Sequence, residues 1–215
     1  GNRTDSTDSR GNKTWYFYDN DGRLTYTVRG AKDANGVLNA AGEVTETRYT
    51  AFGEVSDSIT YTGRIAIAPP QDRAAVQTAI TVLSAVGVGA NDSMRHFTYD
   101  TRGLLASVRD AEGALSWNVY SAFGELFQAR RGIGTTEAST TQYNYDSRGL
   151  LVSRTDGLGS SAARSNSQTY DAFGRVLTST DGRNILSSYT YDRLGRQLSV
   201  SRTAEGRAES NSATS

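Results

Sequence analysis

The strongest constraint on this chain is a short phrase that it writes seven times: a tyrosine, a polar turn, a glycine, then a strand-like segment. The copies begin Tyr18-Asp19-Asn20-Asp21-Gly22-Arg23-Leu24, Tyr49-Thr50-Ala51-Phe52-Gly53-Glu54-Val55 and Tyr99-Asp100-Thr101-Arg102-Gly103-Leu104-Leu105. Tyr120-Ser121-Ala122-Phe123-Gly124-Glu125-Leu126 and Tyr145-Asp146-Ser147-Arg148-Gly149-Leu150-Leu151 follow. The last two are Tyr170-Asp171-Ala172-Phe173-Gly174-Arg175-Val176 and Tyr191-Asp192-Arg193-Leu194-Gly195-Arg196-Gln197. A tandem unit this short cannot bury a core alone and must stack on its neighbours. A scaffold or container is therefore the leading reading, ahead of an enzyme.

The closest anchors, Tyr99 to Tyr120 and Tyr170 to Tyr191, are 21 residues apart. A second turn sits midway, as in Asp8-Ser9-Arg10-Gly11, Asp110-Ala111-Glu112-Gly113 and at Asp181. Each unit thus holds two turns and two strands. An Asp at the first turn position accepts from backbone N–H groups further on, and Gly at the fourth takes the left-handed conformation that closes a bulged hairpin. The intervening segments are six or seven residues long, rich in Val, Thr, Tyr and Leu and free of Pro. Their alternation is partial: Leu24, Tyr26 and Val28 oppose Arg23, Thr25 and Thr27, and neither face is consistently apolar. The pattern predicts an all-β fold, a single curved antiparallel wall of tandem hairpins spanning residues 1–215, not a sandwich.

Gly- and Ala-rich loops are expected at 29–42, 130–141 and 156–168. The large insert, 60–92, contains both prolines, Pro69 and Pro70. Val76, Ile80, Leu83 and Val86 then recur at helical spacing with Asp72 placed to cap, which predicts a short helix over 73–86. β-branched Ile80, Thr81 and Val82 leave a strand open. The insert is either a docking element or a cover for an apolar patch of the wall. The polar tail, 203–215, is expected to be flexible.

Hydrophobic residues make up 36% of the chain, approaching the poverty of disordered sequences, but the net charge is zero and there are 12 Tyr. A thin sheet with both faces near water accounts for this. Zero net charge gives no electrostatic reason to bind nucleic acid or anionic lipid. No stretch reaches the roughly 18 apolar residues of a membrane helix, so no membrane insertion is expected. There is no Cys, hence no disulfide framework. Residue 1 is Gly and the opening residues read as half a repeat, so the sequence reads as a piece of something longer.

Chemistry-bearing residues are sparse. His96 is the only histidine, and no Ser-His-Asp or Cys-His grouping can be argued around it from sequence. Asp19 and Asp21 suggest calcium or paired-acid work, but the distal Glu of a calcium loop is missing and turn formation explains them. Gly87-Val88-Gly89 is not followed by the Gly-Lys-Ser/Thr of a phosphate loop. The tyrosines could stack on sugars or bases, or serve the packing of the wall itself. No catalytic residue, metal ligand or cofactor is expected. The residues that matter are structural: the seven anchor tyrosines and the turn glycines Gly22, Gly53, Gly103, Gly124, Gly149, Gly174 and Gly195.

Tyr-Asp-x-x-Gly-Arg-Leu at a spacing near 20 residues resembles the YD repeats of the RHS family, and the resemblance covers residues 8–202 outside the insert. The Tyr49 and Tyr120 copies depart from it: Thr50 and Ser121 replace Asp, and Glu54 and Glu125 replace Arg. These departures are expected to weaken individual turns. The resemblance implies a spiralling β-sheet that closes into a hollow shell. In bacterial RHS toxins and the C component of insecticidal toxin complexes the shell encloses a C-terminal toxin, and in teneurins a related shell serves adhesion. It implies as partners the flanking repeats and an enclosed toxin or other polypeptide, and as location the cell surface or the outside of a bacterium. The Asp-Pro-x-Gly element that frees the toxin in such shells is missing from this sequence. The rival reading is an extracellular adhesin or carbohydrate-binding module, with a glycan or cell-surface ligand and with Trp15 and Trp117 as stacking platforms.

Overall fold

The computed structural model describes residues 2–30, 41–66, 72–85, 92–204 and 207–212. It divides into two compact units, Gly1–Ala114 and Leu115–Ser215.

Unit 1 contains β1 (Asp5–Thr7), β2 (Lys13–Tyr18), β3 (Leu24–Gly30), β4 (Ala41–Tyr49), β5 (Val55–Ala66), α1 (Arg73–Ala85), β6 (Ser93–Tyr99) and β7 (Leu105–Arg109). Unit 2 contains β8 (Leu115–Tyr120), β9 (Leu126–Ile133), β10 (Ser139–Tyr145), β11 (Leu151–Asp156), β12 (Arg164–Tyr170), β13 (Val176–Thr180), β14 (Leu186–Tyr191), β15 (Gln197–Ala204) and β16 (Arg207–Ser212). Within each unit every strand pairs antiparallel with the strand before and after it in the chain. The expected all-β array of tandem hairpins with one short helix is what forms.

Every anchor tyrosine sits at a break in register. The shifts fall between Phe17 and Tyr18, Arg48 and Tyr49, Thr98 and Tyr99, Val119 and Tyr120, Asn144 and Tyr145, Thr169 and Tyr170, and Thr190 and Tyr191. The extra residue lies on the strand after the turn, because the glycine ends the turn left-handed and the chain must make up one position.

Strand alternation sorts each unit into two faces. In unit 1 one face carries Trp15, Phe17, Tyr26, Val28, Val44, Glu46 and Ile59, as the pairs Trp15–Val28, Phe17–Tyr26, Val28–Val44 and Glu46–Ile59 show. The anchor tyrosines stand on the other. Helix α1 lies on the first face. Val76 and Ile80 join Tyr26, Val28, Val44 and Ile65 in a buried cluster, with Trp15, Phe17, Tyr61, Ala79 and Leu83 packed around it.

The Asp72 carboxylate caps α1 by accepting the Ala75 N–H at 2.8 Å. Burying the Val76–Ile80 stripe outweighs the β preference of Ile80, Thr81 and Val82, so the helix prevails over the strand alternative. The neutral alternation expected of both faces therefore fails in unit 1: the apolar face is real and α1 covers it. The insert's role as a cover is thus directly visible.

Several loops are shorter than expected. Strand β5 runs to Ala66, so the insert begins after it instead of at residue 60. Strand β9 reaches Ile133 and β10 starts at Ser139, leaving little of the 130–141 loop. Strand β12 starts at Arg164, inside the expected 156–168 loop. Strand β3 reaches Gly30 and β4 starts at Ala41, so most of the 29–42 loop, residues 31–40, lies outside the described residues, as do Pro69, Pro70, Val86 and Gly87-Val88-Gly89. The tail expected to be flexible instead continues β15 to Ala204 and supplies β16, paired with it from Ser199–Ser212 to Ala204–Arg207.

Unit 2 is thin. Among its described residues only Ala129 is buried. Between the bulges, one face of β10–β15 carries Ser, Thr, Asn or Gln at alternate positions: 140–144, 153–155, 165–169, 178–180, 186–190 and 199–203, with Leu186 the exception. The opposite face carries the anchor tyrosines with Tyr143, Arg154, Asp156, Leu177, Tyr189, Leu198 and Arg202.

Candidate functional site

The repeated turns form the one constellation that recurs throughout the chain. In the first, the Gly22 N–H donates to the Asp19 carbonyl at 3.0 Å and the Asp19 N–H to the Arg23 carbonyl at 2.9 Å. Asp19 Oδ1 accepts the N–H groups of Asp21 and Arg23, and Arg23 Nε donates to Asp19 Oδ2 at 2.8 Å. Arg23 also reaches Asp21 at 3.0 Å, so the acid pair considered for calcium is tied to one guanidinium within its turn. The turns at Asp171 and Asp192 repeat this arrangement with Arg175 and Arg196.

Where Leu104 and Leu150 occupy the arginine position, Arg102 and Arg148 take over from two residues after the aspartate. The Thr50 and Ser121 copies invert the chemistry. Here the hydroxyl accepts two backbone N–H groups, at 3.2 and 3.3 Å from Thr50 and at 3.2 Å for both from Ser121. It then donates to the carboxylate of Glu54 or Glu125. An acid facing a donor has become a donor facing an acid, so the departures preserve the turn that they were expected to weaken. Taking the first and fifth turn positions as a pair exposes this in the sequence; taking them singly hides it.

All seven turn glycines lie at φ between +76° and +91°. The midway turns use Gly11 and Gly113 in the same way, and Asn184 at φ +62° in the turn begun by Asp181. Gly103→Val is expected to cost about 1–3 kcal/mol through backbone strain, because the nearest atom to an added Cβ, on Glu54, leaves room at 3.5 Å. A fall in melting temperature measures this; an unchanged value would refute the turn geometry.

The anchors link hairpin to hairpin. The hydroxyls of Tyr18, Tyr49 and Tyr99 donate to the carbonyls of Arg3, Leu24 and Val55 in unit 1. Those of Tyr145, Tyr170 and Tyr191 donate to Leu126, Leu151 and Val176 in unit 2, at 2.7–3.0 Å. Turn arginines reinforce the ladder: Arg148 reaches the Asp171 carbonyl at 2.7 Å and Arg175 that of Asp192 at 3.2 Å. Arg23 stacks on Tyr49 and Arg175 on Tyr191, at 4.9 and 4.8 Å. The third turn position points outward, leaving Phe52, Phe123 and Phe173 84–92% exposed.

The turn carboxylates are acid-sensitive. Backbone N–H donation from Leu104 and Leu150, reinforced by Arg102 and Arg148, holds Asp100 and Asp146 below the usual carboxylate range. A depressed folded pKa contributes stability above the unfolded value, near 4, and loses it as pH falls through the folded value. The melting temperature is expected to hold from neutrality to about pH 5 and to drop below about pH 4. Asp100→Asn should flatten the drop; a melting temperature that rises on acidification would contradict the assignment.

Two sites in unit 1 escape sequence reasoning. His96 Nδ1 lies 2.7 Å from Oδ1 of buried Asp57, on the adjacent strand, and the Ser56 hydroxyl donates to the other carboxylate oxygen. Sequence alone offers no grouping around His96; strand pairing supplies an acid partner 39 residues away. The serine binds the acid and not the imidazole, so this is not the order of a nucleophile–base relay. The second is Glu46, buried on the Tyr26–Val28 face. It accepts from Arg48 Nε at 2.8 Å and from the Tyr26 and Tyr61 hydroxyls, and Gln77 of α1 joins through Tyr26. Burial pushes its carboxyl up, but the bonds from Arg48 and Tyr61 win and hold it low. Trp15, considered as a sugar platform, packs against the core beneath α1 instead, whereas Trp117 is 47% exposed.

The last two anchors and their turns lie within residues 170–208, which match the RHS Repeat family model. Residues 170–208 thus carry an RHS repeat. The other five anchor turns share the geometry of that stretch. No curated protein matches the sequence. Among solved structures, the chain is similar to one in the crystal structure of TcdB2-TccC3-Cdc42, at 14% identity over 90% of this chain and 12% of that one, with a TM-score of 0.38. It is similar to one in the Tc holotoxin pore of Photorhabdus luminescens, at 14% identity over 97% and 13%, also at 0.38. It is similar also to a porin-like protein from Bacteroides uniformis, at 14% identity over 90% of each chain, with a TM-score of 0.29. The chain spans about an eighth of the length of the Tc chains it matches.

Proposed function

We propose that this RHS chain is a non-catalytic section of a shell wall, secreted or displayed by a bacterium, that encloses and sequesters a toxin or other polypeptide carried C-terminal to the repeats. The observation that carries the reading is the construction of unit 2. Among its described residues almost none is buried, and its hairpins are fastened to one another by three anchor hydroxyls and, at the last two links, by turn arginines. Such an array gains stability by adding neighbours and extends as a surface, the shape of a container wall. The turn aspartates Asp19, Asp100, Asp146, Asp171 and Asp192 are each committed to an arginine within their own turn.

Limited proteolysis of the full-length protein tests the proposal. The segment following the repeats should survive protease doses that degrade the same segment expressed alone. Equal digestion of the two would reject enclosure. The adhesin reading rests on the exposure of Trp117; glycan-array binding by the wild type that is lost in Trp117→Ala would favour it.

A further inference from the structure

The two faces of unit 2 differ in a way that assigns them different neighbours. From β10 to β15 one face is a carpet of hydroxyl and amide groups, and these groups bond to one another across the strands. Asn144 donates to Ser153 at 2.8 Å, and the Thr155–Ser165, Thr169–Thr178 and Thr190–Ser199 hydroxyls meet at 2.6–2.7 Å. The same repeat position in unit 1 supplies Thr98–Ser107, at 2.7 Å. At that position of the first repeat stand Phe17 and Tyr26, on the face that α1 covers. In unit 1 α1 covers the apolar groups at this position; in unit 2 Trp117 and Val119 of β8 stand exposed on the corresponding face opposite Arg130 and Gln128, and hydroxyls and amides take over from β10 to β15.

The opposite face is bulkier and charged. It holds the tyrosine ladder, with Arg154 set 6.0 Å from the Tyr143 ring centre and ion-paired to Asp156. The two faces differ in side-chain volume. Side chains converge on the concave side of a curved wall, so the small Ser and Thr groups suit the hydroxyl face to that side. Its chemistry suits the same side. An unfolded chain displays apolar and charged side chains, and this face offers almost no apolar patch to bury them and no ion to pair them. Its hydroxyls, already bonded laterally, compete weakly for a passing backbone.

We infer that the hydroxyl face of β10–β15 is the luminal one, turned to an enclosed unfolded polypeptide that it contacts without holding, while the tyrosine–arginine face is turned outward. The inference rests on the shell reading above.

Because the chain has no cysteine, single cysteines report each face cleanly. Neighbouring residues form matched pairs: Ser188 lies on the hydroxyl face and Ser187 on the other, and Ser167 and Asn166 are related in the same way. Ser188→Cys, Ser187→Cys, Ser167→Cys and Asn166→Cys are introduced singly into the full-length protein. Each is treated with a maleimide on a long polyethylene glycol chain, before and after denaturation. The expected result is loss of native labelling at Ser188→Cys and Ser167→Cys, restored by denaturant, with Ser187→Cys and Asn166→Cys labelled throughout. The reverse pattern would overturn the face assignment and leave enclosure standing. Equal labelling of both faces in the native protein would remove the enclosure and the face assignment together.

Discussion

Val76→Asp is expected to strip α1 from unit 1 and destabilise it by on the order of 4 kcal/mol or more. Val76 is fully buried between the helix and the β3–β4 face, within a cluster formed by Tyr26, Val28, Val44, Ile65 and Ile80. A carboxylate there has no cation among the side chains of that cluster and must either stay desolvated or force the helix off. The exposed face of the same helix supplies the control: Val82→Asp should change stability by no more than about 0.5 kcal/mol. Denaturant unfolding followed by Trp15 fluorescence distinguishes the two, since Trp15 packs against the cluster. Equal stability of the two variants would mean that α1 does not dock.

The second large effect lies beneath the same helix. Glu46→Ala is expected to cost about 2–3 kcal/mol, because it removes the common acceptor of Arg48, Tyr26 and Tyr61; half-exposed Arg48 turns to water, but the Tyr26 and Tyr61 hydroxyls lose their shared partner beneath the helix. Glu46→Gln keeps an acceptor and the volume but loses the charge that pairs Arg48, so it should fall between wild type and Glu46→Ala. Chemical denaturation of the three proteins gives the order directly. If Glu46→Ala matched the wild type, the buried network would contribute nothing. These two changes act through different contacts but share Tyr26, so their effects should not add.

The sequence made the hairpins legible because the relevant chemistry is local. An aspartate that accepts two N–H groups, a guanidinium that closes on it and a glycine at positive φ all lie within five residues, so their spacing announces each turn and hence each strand. The same local logic, applied to Asp72 and the Val76–Ile80 spacing, located the helix. What remained hidden depends on residues brought together from afar. Glu46 looks like one more exposed acid between Glu43 and Arg48 until β5 and α1 enclose it. Asp57 and His96 meet only because the segment between them loops out and returns as the paired strand β6. The apolar face of unit 1 looks incomplete in sequence because half of its partner, the helix stripe, is encoded some fifty residues further along the chain from Tyr26. The contrast between the hydroxyl and tyrosine faces of unit 2 likewise needs register, since a bulge at every anchor shifts which residues share a side. Local hydrogen bonds set the repeat and its turns; long-range burial, which no short window of sequence contains, decided where the core lies and which faces stay exposed.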